Sequence, residues 1–381
     1  MITFQISAPG RITLSGEHTA MYGKQVVVAS INIRTTLVFH ELPPESRSIK
    51  IIFPNLSLSL DISMETIINF MSNENFNYVI HDYSLFLRHV QYFITLNGLW
   101  ISYEQRFSLQ TFFFLLFFIG MKEELVINCF QVYLVTQLPM KEGLGSSTSF
   151  ATCLAACFLH WACLQKGDHN GFTAEELTRI TEYVMYSEEV IQNFVYHSDY
   201  NVCTLGHITT FGYTEMLNSH SDLINTPEIN ILLVNANVRL DKSQQMKELA
   251  AMKYNNGFVV DYYLNNINNV SLEIIESLRI FNDHQRNEVL DLYATLEATF
   301  PLTQELLCSL NLSHANSDDI CRIANSYGFK AKLAGAGASS VIILLRPNIS
   351  RDIIDNLVKC LLDRGFVATM TTISCCGMQI D

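Results

Sequence analysis

Residues 143–165 read GLGSSTSFATCLAACFLHWACLQ: two glycines, four consecutive hydroxyl side chains, then an apolar segment. The β-branched run at 125–134 before it predicts a strand, and the apolar spacing over 147–165 predicts a helix. A strand, a glycine turn and a helix start in that order make an anion site. The first N–H groups of a helix are unpaired, its dipole is positive there, and glycine lets a phosphate approach the backbone. Ser146 or Ser147 could then offer a hydroxyl to phosphate or to Mg²⁺. The Gly-Lys-Ser/Thr ending of a Walker A loop is missing, and a plain Ser/Thr helix cap is the competing reading.

Two more glycine-bearing segments flank this one. Residues 8–18, APGRITLSGEH, place Arg11, Glu17 and His18 beside Gly10 and Gly16, at the end of a strand predicted over 2–7. Residues 332–340, KLAGAGASS, lie between strand-like 329–333 and 341–345, where a hairpin turn of small residues would look the same. Two acids complete the set. The helix predicted over 174–192 opens with a Thr173 to Glu176 capping box. Its apolar stripe, Leu177, Ile180, Val184 and Ile191, includes Glu188. An acid on a buried face must be paired, hold a metal or border a cavity, whereas Glu189 points elsewhere. Eleven residues after Glu188 comes Asp199, read as part of a short loop, where an Asx turn is the plain alternative.

The chain has 381 residues, 49% hydrophobic and 16% charged, enough for two domains with a large core. Its net charge of −13 and the absence of a basic run exclude a nucleic-acid binder. Further strands are expected at 26–32, 35–40 and 229–234. Helices are expected at 64–72, 78–96, 107–121, 241–254, 271–281, 284–297, 302–310, 317–326 and 350–363. This irregular interleaving reads as α+β rather than repeated βαβ winding. The polar stretch 218–227 is read as the turn between domains 1–222 and 223–381, and the Asn-rich 265–269 as a loop. Residues 112–120, FFFLLFFIG, are too short to span a bilayer and read as a buried helix, so no membrane is expected. The ten cysteines show neither a CxxC pair nor zinc spacing and read as reduced thiols of a cytoplasmic protein.

Taken in order, the three segments resemble the GHMP kinase superfamily. Residues 16–24, GEHTAMYGK, look most like the mevalonate kinase branch. Galactokinases begin similarly but carry an aspartate for the sugar where Ala20 stands here. The resemblance implies a two-domain fold, an N-terminal ribosomal-protein-S5-like half and a C-terminal ferredoxin-like half, with ATP and mevalonate in the cleft between them. By the same resemblance Gly143, Leu144, Gly145, Ser146, Ser147 and Thr148 hold the nucleotide, Ser147 and Glu188 hold Mg²⁺, and Asp199 is the base. Arg11 stands in the place of a lysine, a permanent cation beside Asp199. Glu17, His18, Gly335 and Ala336 border the substrate. Two other outcomes are another GHMP small-molecule kinase, galactokinase-like or phosphomevalonate kinase-like, and a non-catalytic nucleotide sensor. A homodimer is also expected, with residues 112–118 contributing to its surface. Three departures stand out: Lys141 and Glu142 at the start of the phosphate loop, where Glu142 must point away from a triphosphate, the run 192–198 (QNFVYHS) before Asp199, and Ala334 in the third segment.

Overall fold

The computed structural model describes residues 1–72, 81–140, 142–192, 197–213, 219–238, 242–284 and 289–380. One mixed sheet runs through the molecule, built outward from β1 (Thr3–Ser15) and β2 (Val26–Glu41), which pair antiparallel with Ile6 opposite Leu37 and Ile12 opposite Ala29. On one side come β3 (Ser48–Phe53), β4 (Leu58–Ser63) and β5 (Phe130–Thr136). β5 is antiparallel to β2 and parallel to β3, and β4 closes that edge. β6 (Ile208–Tyr213) pairs with the first half of β2 and carries β7 (Ser219–Ile224). The second half of the sheet contains β8 (Ile229–Asn235), β9 (Ala331–Leu333), β10 (Ser340–Leu344) and β11 (Ala368–Ile373), in the order β11-β8-β10-β9. Ile373 opposite Ile31 joins the halves, and β12 (Gln379–Ile380) returns to β1. The fold is α+β, as expected.

The helices of the first half are α1 (Met64–Met71), α2 (Tyr83–Leu96), α3 (Tyr103–Lys122), α4 (Ser146–Lys166), α5 (Ala174–Gln192) and α6 (His197–Leu205). Those of the second are α7 (Lys242–Asn255), α8 (Gly257–His284), α9 (Val289–Ser309), α10 (Ala315–Ser326) and α11 (Arg351–Asp363). Among the described residues two large hydrophobic cores result, with a small third cluster of Ala20, Val26, Val28 and Val202. The first packs α3 and α4 on the sheet, with Phe112 against Phe158 at 5.5 Å between ring centroids and Phe39 against Phe130 at 5.4 Å. Small side chains on α4, among them Cys153, Ala155, Ala156 and Cys157, allow that close approach. By length and composition α4 could cross a membrane, but 78% of its most apolar window is buried in the protein.

β1 and β2 serve both cores. Ile6, Ala8, Leu37 and Phe39 belong to the first; Ile12, Leu14, Val27, Ala29 and Ile31 belong to the second. The crossover falls at Gly10 and Arg11, next to a register shift between Pro9 and Gly10. Such a bulge re-aims the side chains that follow it, and this one aims Arg11 into the junction.

Several sequence expectations change. The strands expected at 26–32 and 35–40 are one strand, the strand expected at 125–134 begins only at Phe130, and β3 and β4 were not anticipated. The polar stretch read as an interdomain turn is largely β7, so a division after residue 222 falls inside a strand held by β6; Asn218 lies outside the described residues. The Asn-rich 265–269 is not a loop but the middle of α8. Val260, Leu264, Ile267, Val270 and Ile274 are buried at helical spacing around it, so tertiary packing overrides asparagine's preference for turns. Asn265 and Asn268 accept hydrogen bonds from Lys24 Nζ (2.6 Å) and the Gln25 N–H (2.9 Å). The helices expected at 284–297 and 302–310 are one, with Pro301 inside it. Residues 285–288, Asp241, and residues 78–80 of the helix expected at 78–96 lie outside the described residues.

The cluster at 112–118 is wholly interior, since each of its phenylalanines is 0% exposed. It therefore offers no surface to a second copy, contrary to expectation. Phe112→Ala should lower stability by about 3–5 kcal/mol, the usual cost of emptying a buried aromatic site, measured as a shift in the urea midpoint at constant m-value.

Candidate active site

The glycine loop leads into α4 through Gly145, which has left-handed backbone angles (φ 75°, ψ 25°), and no side chain caps the helix. Among the described residues the amides of Gly145, Ser146, Ser147 and Thr148 donate to no backbone carbonyl outside the helix; the first bond of this kind runs from the Ser149 N–H to the Gly145 carbonyl. The helix start is therefore open to an anion, which a Ser/Thr cap would have closed. Ser146 and Ser147 are half-buried there.

The two other segments hold this loop from either side. The Arg11 N–H donates to the Leu144 carbonyl (2.9 Å), and Ser149 Oγ donates to the Ala8 carbonyl (2.8 Å). A Cβ on Gly145 would sit 2.6 Å from Arg11 Cγ, and one on Gly143 would sit 2.7 Å from the Ala338 backbone. Both glycines also have positive φ, so two requirements exclude a side chain at each. The third segment is tied to β1 by the Thr13 N–H to the Ala334 carbonyl (2.8 Å), and the Ser339 N–H reaches the Glu142 carbonyl (3.2 Å). It is the turn between β9 and β10, but a buried one. Glu142 does point away from the loop amides. Its carboxylate accepts from Asn235 Nδ2 (2.9 Å) and Ser340 Oγ (3.3 Å) on the second half. Lys141 lies outside the described residues.

Arg11 connects the loop to the acids. Its Nη1 donates to the Gly143 carbonyl (3.0 Å) and its Nη2 to Asp199 Oδ2 (2.5 Å). Burial alone would lower the Arg11 pKa, but Asp199, and Glu188 more weakly, outweigh it and hold the guanidinium above its usual value. Asp199 is buried in the first turn of α6 and not in the loop expected for it; residues 193–196 of the run before it lie outside the described residues. Glu188 is buried on α5 while Glu189 is exposed, as the apolar stripe required. Glu188 Oε1 accepts from Thr148 Oγ1 (2.7 Å) and Gln192 Nε2 (3.0 Å), both neutral donors. Burial, against the opposing Thr148 bond, pushes its carboxyl up to about 7. Gln192 Nε2 also lies 3.5 Å from Ser147 Oγ, which joins Glu188 to the start of α4.

Arg11 also lines a small cavity, whose polar lining includes Thr13, Glu17, His18, Asp199 and Lys242 and whose apolar lining includes Val26, Val28 and Ala336. Gly335 is placed beside it, where a Cβ would lie 3.1 Å from Thr13 Oγ1. Lys332 is fully buried, and its ammonium donates to Glu17 Oε1, the Thr13 carbonyl (2.9 Å) and the Leu333 carbonyl (2.6 Å). Glu17 and His18 both line the cavity, and among the described residues the buried Glu17 Oε2 and His18 Nδ1 have no hydrogen-bond partner; a polar ligand there would complete them. The loop serines and Glu188 do not line this cavity, so the expected site residues form two adjoining compartments with Arg11 between them.

Two contributors were missed in the sequence. In the sequence Lys332 stands only as the start of a small-residue turn. Lys242, whose amine interacts with Asp199, Arg11 and Glu188, is pulled down to about 7, chiefly by burial. It stands at the start of α7, where a lysine opposes the helix dipole, and that mismatch was the available signal.

Burial, with the charge of Lys242 second, pulls His18 down to about 4. Its folded pKa is below the unfolded value near 6.5, so the stability it contributes is present above about pH 6.5 and lost as pH falls toward 4. His18→Gln should therefore lose less stability than the parent between pH 7 and pH 4.5, by about 2–3 kcal/mol, measured by urea unfolding at both pH values.

Residues 3–41 match the family model described as the galactokinase galactose-binding signature. Over the whole chain, mevalonate kinase from Bos taurus is 26% identical across 98% of this chain and 94% of its own length. Mevalonate kinase from Dictyostelium discoideum is also 26% identical, across 99% and 96%. Among solved structures, the Methanococcus jannaschii mevalonate kinase superposes with a TM-score of 0.68 at 19% identity, covering 96% of this chain and 97% of that one. The L. major mevalonate kinase in complex with R-mevalonate gives 0.63 at 14% identity, covering 97% and 95%. The chain thus has the GHMP kinase fold, and its sequence is similar to mevalonate kinases over nearly its whole length.

Proposed function

We propose that this chain transfers the γ-phosphoryl group of ATP to the primary hydroxyl of mevalonate, giving 5-phosphomevalonate and ADP in isoprenoid synthesis. The observation that carries the reading is Arg11, which touches both the open glycine loop and Asp199 and also lines the cavity holding Glu17 and His18. A phosphate donor on one side and an alcohol on the other would meet there. Similarity to mevalonate kinases supplies the substrate. The galactose-binding signature covers only residues 3–41, where Ala20 replaces the sugar aspartate.

Phosphoryl transfer needs positioning and charge stabilisation more than covalent help. The amides of Ser146, Ser147 and Thr148 receive phosphate oxygens. Asp199 takes the proton of the attacking hydroxyl as the new P–O bond forms and the bond to ADP breaks. Arg11 holds the Asp199 carboxylate in place and adds positive charge beside the transferred group. Glu17 Oε2 and His18 Nδ1 bond the polar groups of mevalonate, while Val26 and Val28 face its methyl and methylene carbons.

The donor set also suits Mg²⁺. Glu188 is a buried carboxylate with neutral hydrogen-bond donors, and Ser147 offers a second oxygen beside it, as expected of a hard cation's site. When bound, Mg²⁺ neutralises charge on the phosphate oxygens. The same reading assigns the enzyme to the cytoplasm, in keeping with ten unpaired cysteines. It also makes the enzyme a homodimer that pairs through a face other than residues 112–118, and a monomer in light scattering would remove that part.

ADP release should depend on mevalonate and exceed that seen with galactose or phosphomevalonate. Asp199→Asn should lower turnover by about 10²–10⁴-fold, the range for loss of a general base. Equal rates with all three alcohols, or full turnover in Asp199→Asn, would contradict the proposal. Nucleotide binding without ADP release from the intact chain would make it a sensor instead.

A further inference from the structure

The opposite end of α4 carries a second cluster, unrelated to phosphoryl transfer. Cys163 lies roughly 24 Å along the helix from Ser147 at 1.5 Å per residue. His160, one turn earlier, is buried on the same side of the helix. His169, in the connection to α5, points one ring nitrogen at each neighbour. Its Nδ1 is 2.5 Å from His160 Nδ1 and its Nε2 is 3.3 Å from Glu176 Oε2. Cys163 Sγ is 3.5 Å from Glu176 Oε1. One ligand atom from each of Cys163, His169 and Glu176 lies within 4.8 Å of the others, and all three residues are half-buried.

The capping box already fixes this carboxylate. Glu176 Oε2 accepts from the Thr173 N–H (2.7 Å) and from Thr173 Oγ1 (3.0 Å), which leaves Oε1 directed at the thiol. In the tautomer whose Nδ1–H donates to His160, Nε2 turns a lone pair toward the Glu176 carboxylate, and a divalent cation can stand where the other tautomer places its Nε2–H. A metal-bound histidine characteristically gives its other N–H to such a partner. Arg179 Nη2 stands 3.7 Å from Glu176 Oε1, but its Nη1 is engaged by both oxygens of Glu123 at 2.7 Å. A thiolate, an imidazole and a carboxylate together suit a borderline divalent ion of the zinc class. Ligand atoms in such a site lie about 3.3–3.8 Å apart, an adjustment of about 1 Å from the widest spacing here.

The geometry points to a zinc-class binding site formed by Cys163 Sγ, His169 Nε2 and Glu176 Oε1, oriented by His160 and pinning the end of α4 to the start of α5. Such a site replaces the thiol proton by the metal and releases that proton to solvent.

The test uses the full chain, stripped with a chelator and titrated with Co²⁺ as a visible stand-in for Zn²⁺. The expected result is about one equivalent bound with a thiolate-to-cobalt charge-transfer band, displaced by Zn²⁺, together with a Zn²⁺-dependent rise in the thermal midpoint. Cys163→Ser should abolish the band, and His169→Gln should weaken binding by at least about tenfold. Should Cys163→Ser fail to fold, Zn²⁺ protection of Cys163 from alkylation, read by peptide mass spectrometry on the parent protein, gives the same answer. A band that survives Cys163→Ser, no band at all, or Cys163 alkylated equally fast with and without Zn²⁺ would leave only a capped helix with a hydrogen-bonded histidine chain.

Discussion

The Arg11 guanidinium is the constraint on which the site depends. It is buried where β1 passes from one hydrophobic core to the other, with one nitrogen on the Gly143 carbonyl and another on Asp199. A buried ion pair contributes little net stability, because desolvating both charges offsets their attraction. Removing one partner, however, typically costs 3–5 kcal/mol through the charge left behind. Arg11 therefore sets position more than stability. The loop and Asp199 are held to the same side chain, so neither can move without the other.

A second buried pair extends the logic across the junction. Lys332, from the second half, uses its three donors on Glu17 and on two carbonyls, one of them from β1. Glu142 reaches the other way, from the glycine loop to Asn235 and Ser340. The two halves are thus clamped by polar contacts at two places, and an apolar contact at either could not impose one orientation so strictly. Before any ligand arrives, the acids Asp199, Glu188 and Glu17 stand against Arg11, Lys332 and a Lys242 whose charge is weakened by burial. A polyphosphate entering this region needs cationic charge beyond what the chain supplies, which the Glu188 compartment is suited to recruit.

Much of this was legible in the sequence, for identifiable reasons. Glu188 could be found because a helical stripe has a fixed period, and an acid on its buried face stands out against the apolar background. The glycine loop was legible because glycine, glycine and hydroxyls before an apolar run leave few structural alternatives. Asp199 stands out in the sequence as a loop acid and not a helical one, since its short helix has little amphipathic pattern to announce it. The Asn-rich centre of α8 misled for the opposite reason, local preference yielding to packing between Val260 and Ile274. Lys332 and Lys242 were invisible as site residues. Their roles come from where β9 and α7 dock against β1, a long-range fact with no local period to mark it.

The central claim is that the glycine loop, Glu188, Arg11 and Asp199 surround a single phosphoryl group in transit. A crystal structure with Mg²⁺, a non-hydrolysable ATP analogue and mevalonate tests it most directly. The account predicts the terminal phosphate against the Ser146 and Ser147 amides, the metal on Glu188, and the primary hydroxyl between that phosphate and Asp199. A nucleotide bound away from the loop, or a hydroxyl turned from Asp199 toward solvent, would contradict it.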